Sequence, residues 1–156
     1  MAMVNMEETR SRISKLGMNK NDIVLTQGFI GSNNEGHMTT LGREGSDYSA
    51  ALFAWALGAQ SLTLWKDVPG VMSADPAVYS DAEVFSFVPY REAVELTYYG
   101  ASVIHPKTIK PLENAGIPLL VKSFKEPMLP GTLIAAGDTT VPAVPSRIRK
   151  TNQVLI

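Results

Sequence analysis

The chain has 156 residues, of which 45% are apolar and 19% charged, and a formal net charge of −1. That is enough apolar material for a folded core and too little basic charge for nucleic acid to be the main partner. It has no cysteine and only two histidines, His37 and His105, far apart and without ligand-like neighbours, which excludes thiol catalysis, disulfides, cysteine-held zinc and a histidine metal site. No apolar run approaches the roughly 20 residues that span a bilayer, and no signal-type segment opens the chain. A cytoplasmic protein with no membrane partner is expected.

Residues 7–16 predict a short helix with Ile13 and Leu16 on one face and Gly17 as its stop. Ile23-Val24-Leu25-Thr26 is a β-type run, ended by Gln27-Gly28-Phe29-Ile30-Gly31; Gly28 and Gly31 fit either turns or close approaches. Residues 32–39 are polar, with Asn33, Asn34 and Gly36, and predict an exposed hairpin or flap. Residues 46–57 form the best helix, with Tyr48, Ala51, Leu52 and Trp55 to one side and Gly58 as its close. Ser61-Leu62-Thr63-Leu64-Trp65 follows as a buried strand, the βαβ rhythm of a parallel sheet. A breaker-rich loop comes next, then a short strand at 84–87, a helix at 90–99 interrupted by Gly100, and a helix opened by Pro106 and closed by Gly116. Residues 118–122 and 131–134 predict two more strands, and the Gly/Pro/Thr-rich stretch at 135–145 a linker. Arg147-Ile148-Arg149-Lys150 fits a solvated strand edge or linker, and Val154-Leu155-Ile156 begins a further strand.

Two loops carry the chemistry. Thr40-Leu41-Gly42-Arg43-Glu44-Gly45-Ser46-Asp47 is a glycine-broken turn feeding a helix, whose first amides and positive dipole end hold an anion. Arg43 adds a fork suited to a carboxylate or phosphate. The plainer reading is a capped helix start, with Ser46 as N-cap and Asp47 favouring the dipole. The second loop, Lys66-Asp67-Val68-Pro69-Gly70-Val71-Met72-Ser73-Ala74-Asp75-Pro76, leaves the carboxyl end of a strand, where ligands of open α/β sheets sit. Against it stand a solvated Lys66–Asp67 pair and ordinary turn chemistry at Asp75-Pro76. Together the loops offer backbone donors, two cations and three acids, a set suited to phosphoryl transfer. There is neither a P-loop nor a dinucleotide fingerprint.

Five stretches then stand in a recognisable order: Gln27 to Gly31, Thr40 to Tyr48, Trp65-Lys66-Asp67-Val68-Pro69-Gly70-Val71, Ala74-Asp75-Pro76, and Tyr99-Gly100-Ala101-Ser102-Val103-Ile104-His105-Pro106. Their spacing resembles the aspartokinases of the amino-acid kinase family, and Pro130-Gly131-Thr132-Leu133-Ile134 resembles the end of that kinase domain. The resemblance implies a three-layer αβα sandwich with a mainly parallel sheet. It also implies ATP- and Mg²⁺-dependent phosphorylation of the L-aspartate β-carboxylate, the step leading to lysine, threonine and methionine. It places Arg43, Ser46 and Asp47 at the amino acid, with Asp47 as the catalytic residue that meets the amino group or orients lysines. It places Lys66, Asp67, Met72, Asp75, Ser102 and Lys107 at the nucleotide. The motifs at 65–71 and 99–106 favour aspartokinase over a glutamate, acetylglutamate or uridylate kinase; a non-catalytic nucleotide-binding module is the rival of a different class.

Three positions depart from the family pattern: Glu44 replaces the first glycine of arginine-glycine-glycine, Ala77 an arginine, and Ser102 a lysine that approaches the phosphates. Lys66 or Lys107 is expected to compensate for that lysine. The family's opening lysine-phenylalanine-glycine-glycine-threonine-serine strand has no match here, and Val154-Leu155-Ile156 resembles only the start of a regulatory ACT domain. The expected organisation is a partial kinase domain at 1–134 and, at 135–156, a linker with the start of that ACT domain. Such a fragment is expected to be inactive alone and prone to self-association, and the full-length protein to be a homo-oligomer.

Overall fold

The structure, a computed structural model, describes residues 3–19, 22–98 and 103–137. Helix α1 (Met6–Ser14) starts where Asn5 accepts the Glu8 amide at 3.0 Å, with Glu7 and Glu8 favouring the positive helix end. It buries Ile13 and packs along α2, where Arg10 lies 5.1 Å from the centroid of the Trp55 ring. The Ile23–Leu25 run forms no strand: Ile23 is 100% and Leu25 97% exposed, because no described strand runs beside them to take their backbone bonds. The expected flap is present as the antiparallel pair β1 (Ile30–Ser32) and β2 (Met38–Thr40). Its turn is held by Asn33 Oδ1, which accepts the amides of Glu35 and His37.

Helix α2 (Gly45–Leu57) leads to strand β3 (Leu62–Lys66) through Gly58, whose φ of 61° ends the helix in the left-handed region. Strand β4 (Phe87–Pro89) runs directly into α3 (Tyr90–Tyr98). Helix α4 (Pro106–Ala115) has His105 as N-cap and Pro106 at its first position, and ends on Gly116. Strands β5 (Leu119–Ser123) and β6 (Thr132–Ala135) complete the set. The expected strand at 84–87 begins only at Phe87; Val84 instead forms an isolated bridge to Met72.

The sheet order is β3-β5-β6-β4. β3 pairs with β5 and β4 with β6 in parallel, as the βαβ reading requires, while β5 and β6 are antiparallel. The β5–β6 connection, residues 124–131, is shorter than the dozen or so residues of a parallel crossover, so it can only turn the chain back. Alternation puts Leu64, Val88, Leu119, Val121 and Ile134 on one face. They join Ala51 and Ala54 of α2, Ala93 and Leu96 of α3, and Ile109 and Leu112 of α4 in one core. Each such Val, Leu or Ile side chain contributes about 1.5–3 kcal/mol by leaving water. On the opposite face Trp65 is half-exposed under the Lys122 ammonium, 5.5 Å from its ring centroid. No helix among the described residues is long and apolar enough to cross a membrane. The sequence-level readings at Ser102, Gly100, 147–150 and 154–156, and most of the 135–156 segment, lie outside the described residues.

Candidate active site

The N-terminus of α2 is built by close backbone approaches. Phe29 donates its amide to Ser49 Oγ at 2.9 Å, and Ser49 Oγ donates to the Gly45 carbonyl at 2.9 Å. The Leu41 amide reaches back to the Phe29 carbonyl at 2.7 Å. A Cβ on Gly28 would stand 3.0 Å from Ser46 Cα, and one on Gly45 would stand 2.7 Å from the Phe29 ring. Gly28 is therefore a close-approach glycine, and Gly31, with 3.7 Å to its nearest neighbour, is not.

Ser46 is not the N-cap. The helix begins one residue earlier, at Gly45, and Glu44 caps it in a left-handed conformation, φ 52°, without a side-chain cap bond. Glycine at 45 lets the chain enter the helix tightly against Phe29, and that shifts the start. Glu44 also carries a buried carboxylate oxygen, Oε2, with no hydrogen-bond partner. Arg43 and Ser46 are exposed at the mouth of the turn.

The two chemistry-bearing loops meet at one ion pair. Lys66 is the last residue of β3, and strand parity turns it to the helix-covered face with Leu64. There its Nζ donates to Asp47 Oδ2, in the first turn of α2, at 2.5 Å. The Asp47 and Lys66 side chains are only 13% and 22% exposed. The structure thus joins a residue assigned to the amino acid with one assigned to the nucleotide. It does not bring Asp67, exposed beyond the strand end, into that pair.

Lys107, expected at the nucleotide, packs on the opening turn. Its Nζ donates to the Leu41 carbonyl at 2.8 Å and lies 5.4 Å from the centroid of the Tyr48 ring. Burial raises the Tyr48 phenol above its ordinary pKa, so the ring stays neutral. Lys107 gets there because His105 Nδ1 accepts the Lys107 amide, starting α4 directly against the turn.

The loop after β3 is fastened from below. Thr132 Oγ1 accepts the Val71 amide at 2.8 Å and donates to the Phe85 carbonyl at 2.6 Å. The Met72 side chain is buried, and Met72 forms an isolated antiparallel bridge with Val84. Asp75 closes a turn: its Oδ1 accepts the Ala77 amide at 2.8 Å and its carbonyl accepts those of Val78 and Tyr79. The plainer reading of Asp75-Pro76 describes that geometry. No group of three or more His, Asp or Glu side chains that could hold a metal exists among the described residues.

Signals for Asp47 and Lys66 existed separately in the sequence, whereas Tyr48 read only as a helix-face residue and no chemistry pointed to Thr132 or Ser49. The i, i+4 placement of Ser49 after Gly45 was the single readable hint.

A helix start and a loop at a strand's carboxyl end that meet on an open α/β sheet form the architecture in which such sheets bind ligands. Residues 4–123 match the model of the amino acid kinase family, and the chain belongs to that family. It is similar to the lysine-sensitive aspartokinase 3 of Escherichia coli strain K12, 44% identical over 134 residues that make up 86% of this chain and 30% of that protein. Among solved structures, E. coli aspartokinase III in complex with aspartate and ADP is 47% identical with a TM-score of 0.70, over 74% of this chain and 26% of that one. Clostridium acetobutylicum aspartate kinase gives a TM-score of 0.79 at 32% identity, over 90% of this chain and 32% of that one. The chain thus spans less than a third of the length of these relatives.

Proposed function

We propose that the protein carrying this chain is an aspartate kinase, and that residues 41–85 with the start of α4 form part of its site. In the reaction a β-carboxylate oxygen of L-aspartate attacks the γ-phosphorus of ATP, the bond to the β-phosphate oxygen breaks, and ADP leaves with 4-phospho-L-aspartate. Phosphoryl transfer needs positioning and charge stabilisation above all. The observation that carries the reading is the Asp47–Lys66 pair, which couples the amino-acid turn to the nucleotide loop. In it Asp47 orients the Lys66 ammonium towards transferring phosphate oxygens, Arg43 and Ser46 face the amino-acid carboxylate, and Asp67, the Met72 backbone, the Asp75 turn and Ser102 flank the nucleotide. Magnesium would be held mainly by the nucleotide's own phosphates, beside which a single carboxylate suffices, and would supply charge neutralisation for the transfer. A cytoplasmic, homo-oligomeric enzyme of amino-acid biosynthesis follows from the same reading; the exposed Ile23 and Leu25 support association.

The test is a coupled ADP-release assay on the complete protein that contains this chain. Turnover with L-aspartate, lost at least 100-fold in Asp47→Asn, is expected. ATP consumption with L-glutamate and none with L-aspartate overturns the assignment. Calorimetry with Mg-ATP on the chain alone shows what the chain retains: binding without turnover is expected.

A further inference from the structure

Lys107 has no carboxylate partner among the described residues. Its ammonium contacts the Leu41 carbonyl, faces the Tyr48 ring, and comes within 4.0 Å of where a Cβ on Gly42 would stand. All three neighbours belong to residues 41–48, and none to the loop that follows β3. The charge of that turn is otherwise cancelled. Asp47 is neutralised by Lys66, and Arg43 is offset by its neighbour Glu44, whose buried Oε2 has no donor. A turn with no net charge holds an anionic ligand weakly, since its remaining attraction is the helix end alone.

We infer that Lys107 is a positioning residue for the amino-acid substrate. It fixes the Leu41 carbonyl, so that residues 42–47 keep their receiving shape, and its charge makes an otherwise balanced turn net positive, so that the turn attracts a dicarboxylate. The inference deepens the proposed function and rests on that reading of the 42–47 turn as the amino-acid site. It moves Lys107 away from the nucleotide. A cation at a helix N-terminus is disfavoured by the dipole; here the bond to the Leu41 carbonyl holds the Lys107 ammonium over a turn whose other charges balance.

Steady-state kinetics on the complete protein test it with Lys107→Met, Lys107→Arg, and Lys107→Met combined with Glu44→Gln. Lys107→Met is expected to raise KM for L-aspartate about tenfold, with kcat within about threefold and KM for Mg-ATP unchanged. Lys107→Arg recovers most of the loss, and adding Glu44→Gln to Lys107→Met recovers part of it, which lost packing alone cannot do. An unchanged KM for L-aspartate, a shift in KM for Mg-ATP instead, or no recovery by Glu44→Gln overturns the inference. If the wild-type protein phosphorylates no aspartate, the proposed function fails, and the same variants of this chain are titrated with sulfate while the amide resonances of residues 42–47 are followed. Weaker sulfate binding in Lys107→Met then sustains the role of Lys107 at an anion-holding turn, and equal binding ends it.

Discussion

Breaking the Asp47–Lys66 pair tests whether the two loops are coupled. Both side chains are mostly shielded from water, at 13% and 22% exposure, and the contact is a charge-assisted hydrogen bond of 2.5 Å. Exposed pairs contribute about 0.2–1 kcal/mol, and deleting one partner of a fully buried pair costs about 3–5 kcal/mol. This pair lies between those limits. Asp47→Asn and Lys66→Met are each expected to cost about 2 kcal/mol, because each leaves a half-shielded partner without its counter-charge. Independent effects would add to about 4 kcal/mol, but a coupling of roughly 1.5 kcal/mol brings the double variant to about 2.5 kcal/mol. Urea denaturation of the four chains at pH 7 measures this, provided the slope with denaturant is shared. A double variant that loses the full sum within about 0.5 kcal/mol means the pair is not coupled in solution, and the argument from it to the site collapses.

Other outcomes are as specific. Thr132→Val strips the partners of the buried Val71 amide and Phe85 carbonyl, and is expected to cost about 2–4 kcal/mol, while Thr132→Ser keeps both bonds and loses about 1 kcal/mol or less; thermal melts compare them. Gly131→Ala meets a φ of 75° and the Val121 carbonyl directly behind its Cβ, so a loss of more than about 3 kcal/mol and poor soluble yield are expected. His105→Ala removes the cap of α4 at about 1 kcal/mol, and His105→Asn restores most of it, read by chemical denaturation. The Tyr90 phenol donates to the Ile117 carbonyl at 2.5 Å, and burial, with the Glu113 charge second, raises its pKa. A group whose folded pKa is raised adds stability below its unfolded value of about 10 and loses it as pH climbs through the folded one. Unfolding midpoints are therefore expected to fall above about pH 10, and Tyr90→Phe to flatten that fall; an equal decline in both chains would show that another group governs it.

The elements themselves were legible because their signals are local. Gly58 and Gly116 closed helices where the sequence placed the stops, Pro106 opened α4, and the apolar runs at 61–65 and 118–122 became strands one residue further on, Leu62–Lys66 and Leu119–Ser123. The misses share one cause. A β-type run such as Ile23–Leu25 becomes a strand only beside another strand, and local pattern says nothing about neighbours. The Ser46 cap was a reasonable local reading, displaced because Gly45 packs on Phe29, sixteen residues upstream.

The candidate site divides the same way. The turn at 42–47 and the loop at 66–75 were readable as two anion-holding strand and helix ends, since glycine spacing and dipole physics are carried by contiguous residues. Their meeting was not. That Asp47 receives Lys66 depends on the parity of β3 and the seat of α2 on the sheet, and that Lys107 crosses to Leu41 depends on where α4 begins. By itself the sequence determined the α/β class and most of the order of elements, and it marked two loops whose residue types suit phosphate chemistry. Only the tertiary structure decided which of those charges neutralise one another and which remain for a ligand, because that is set by distances between residues 19 and 66 positions apart in the chain.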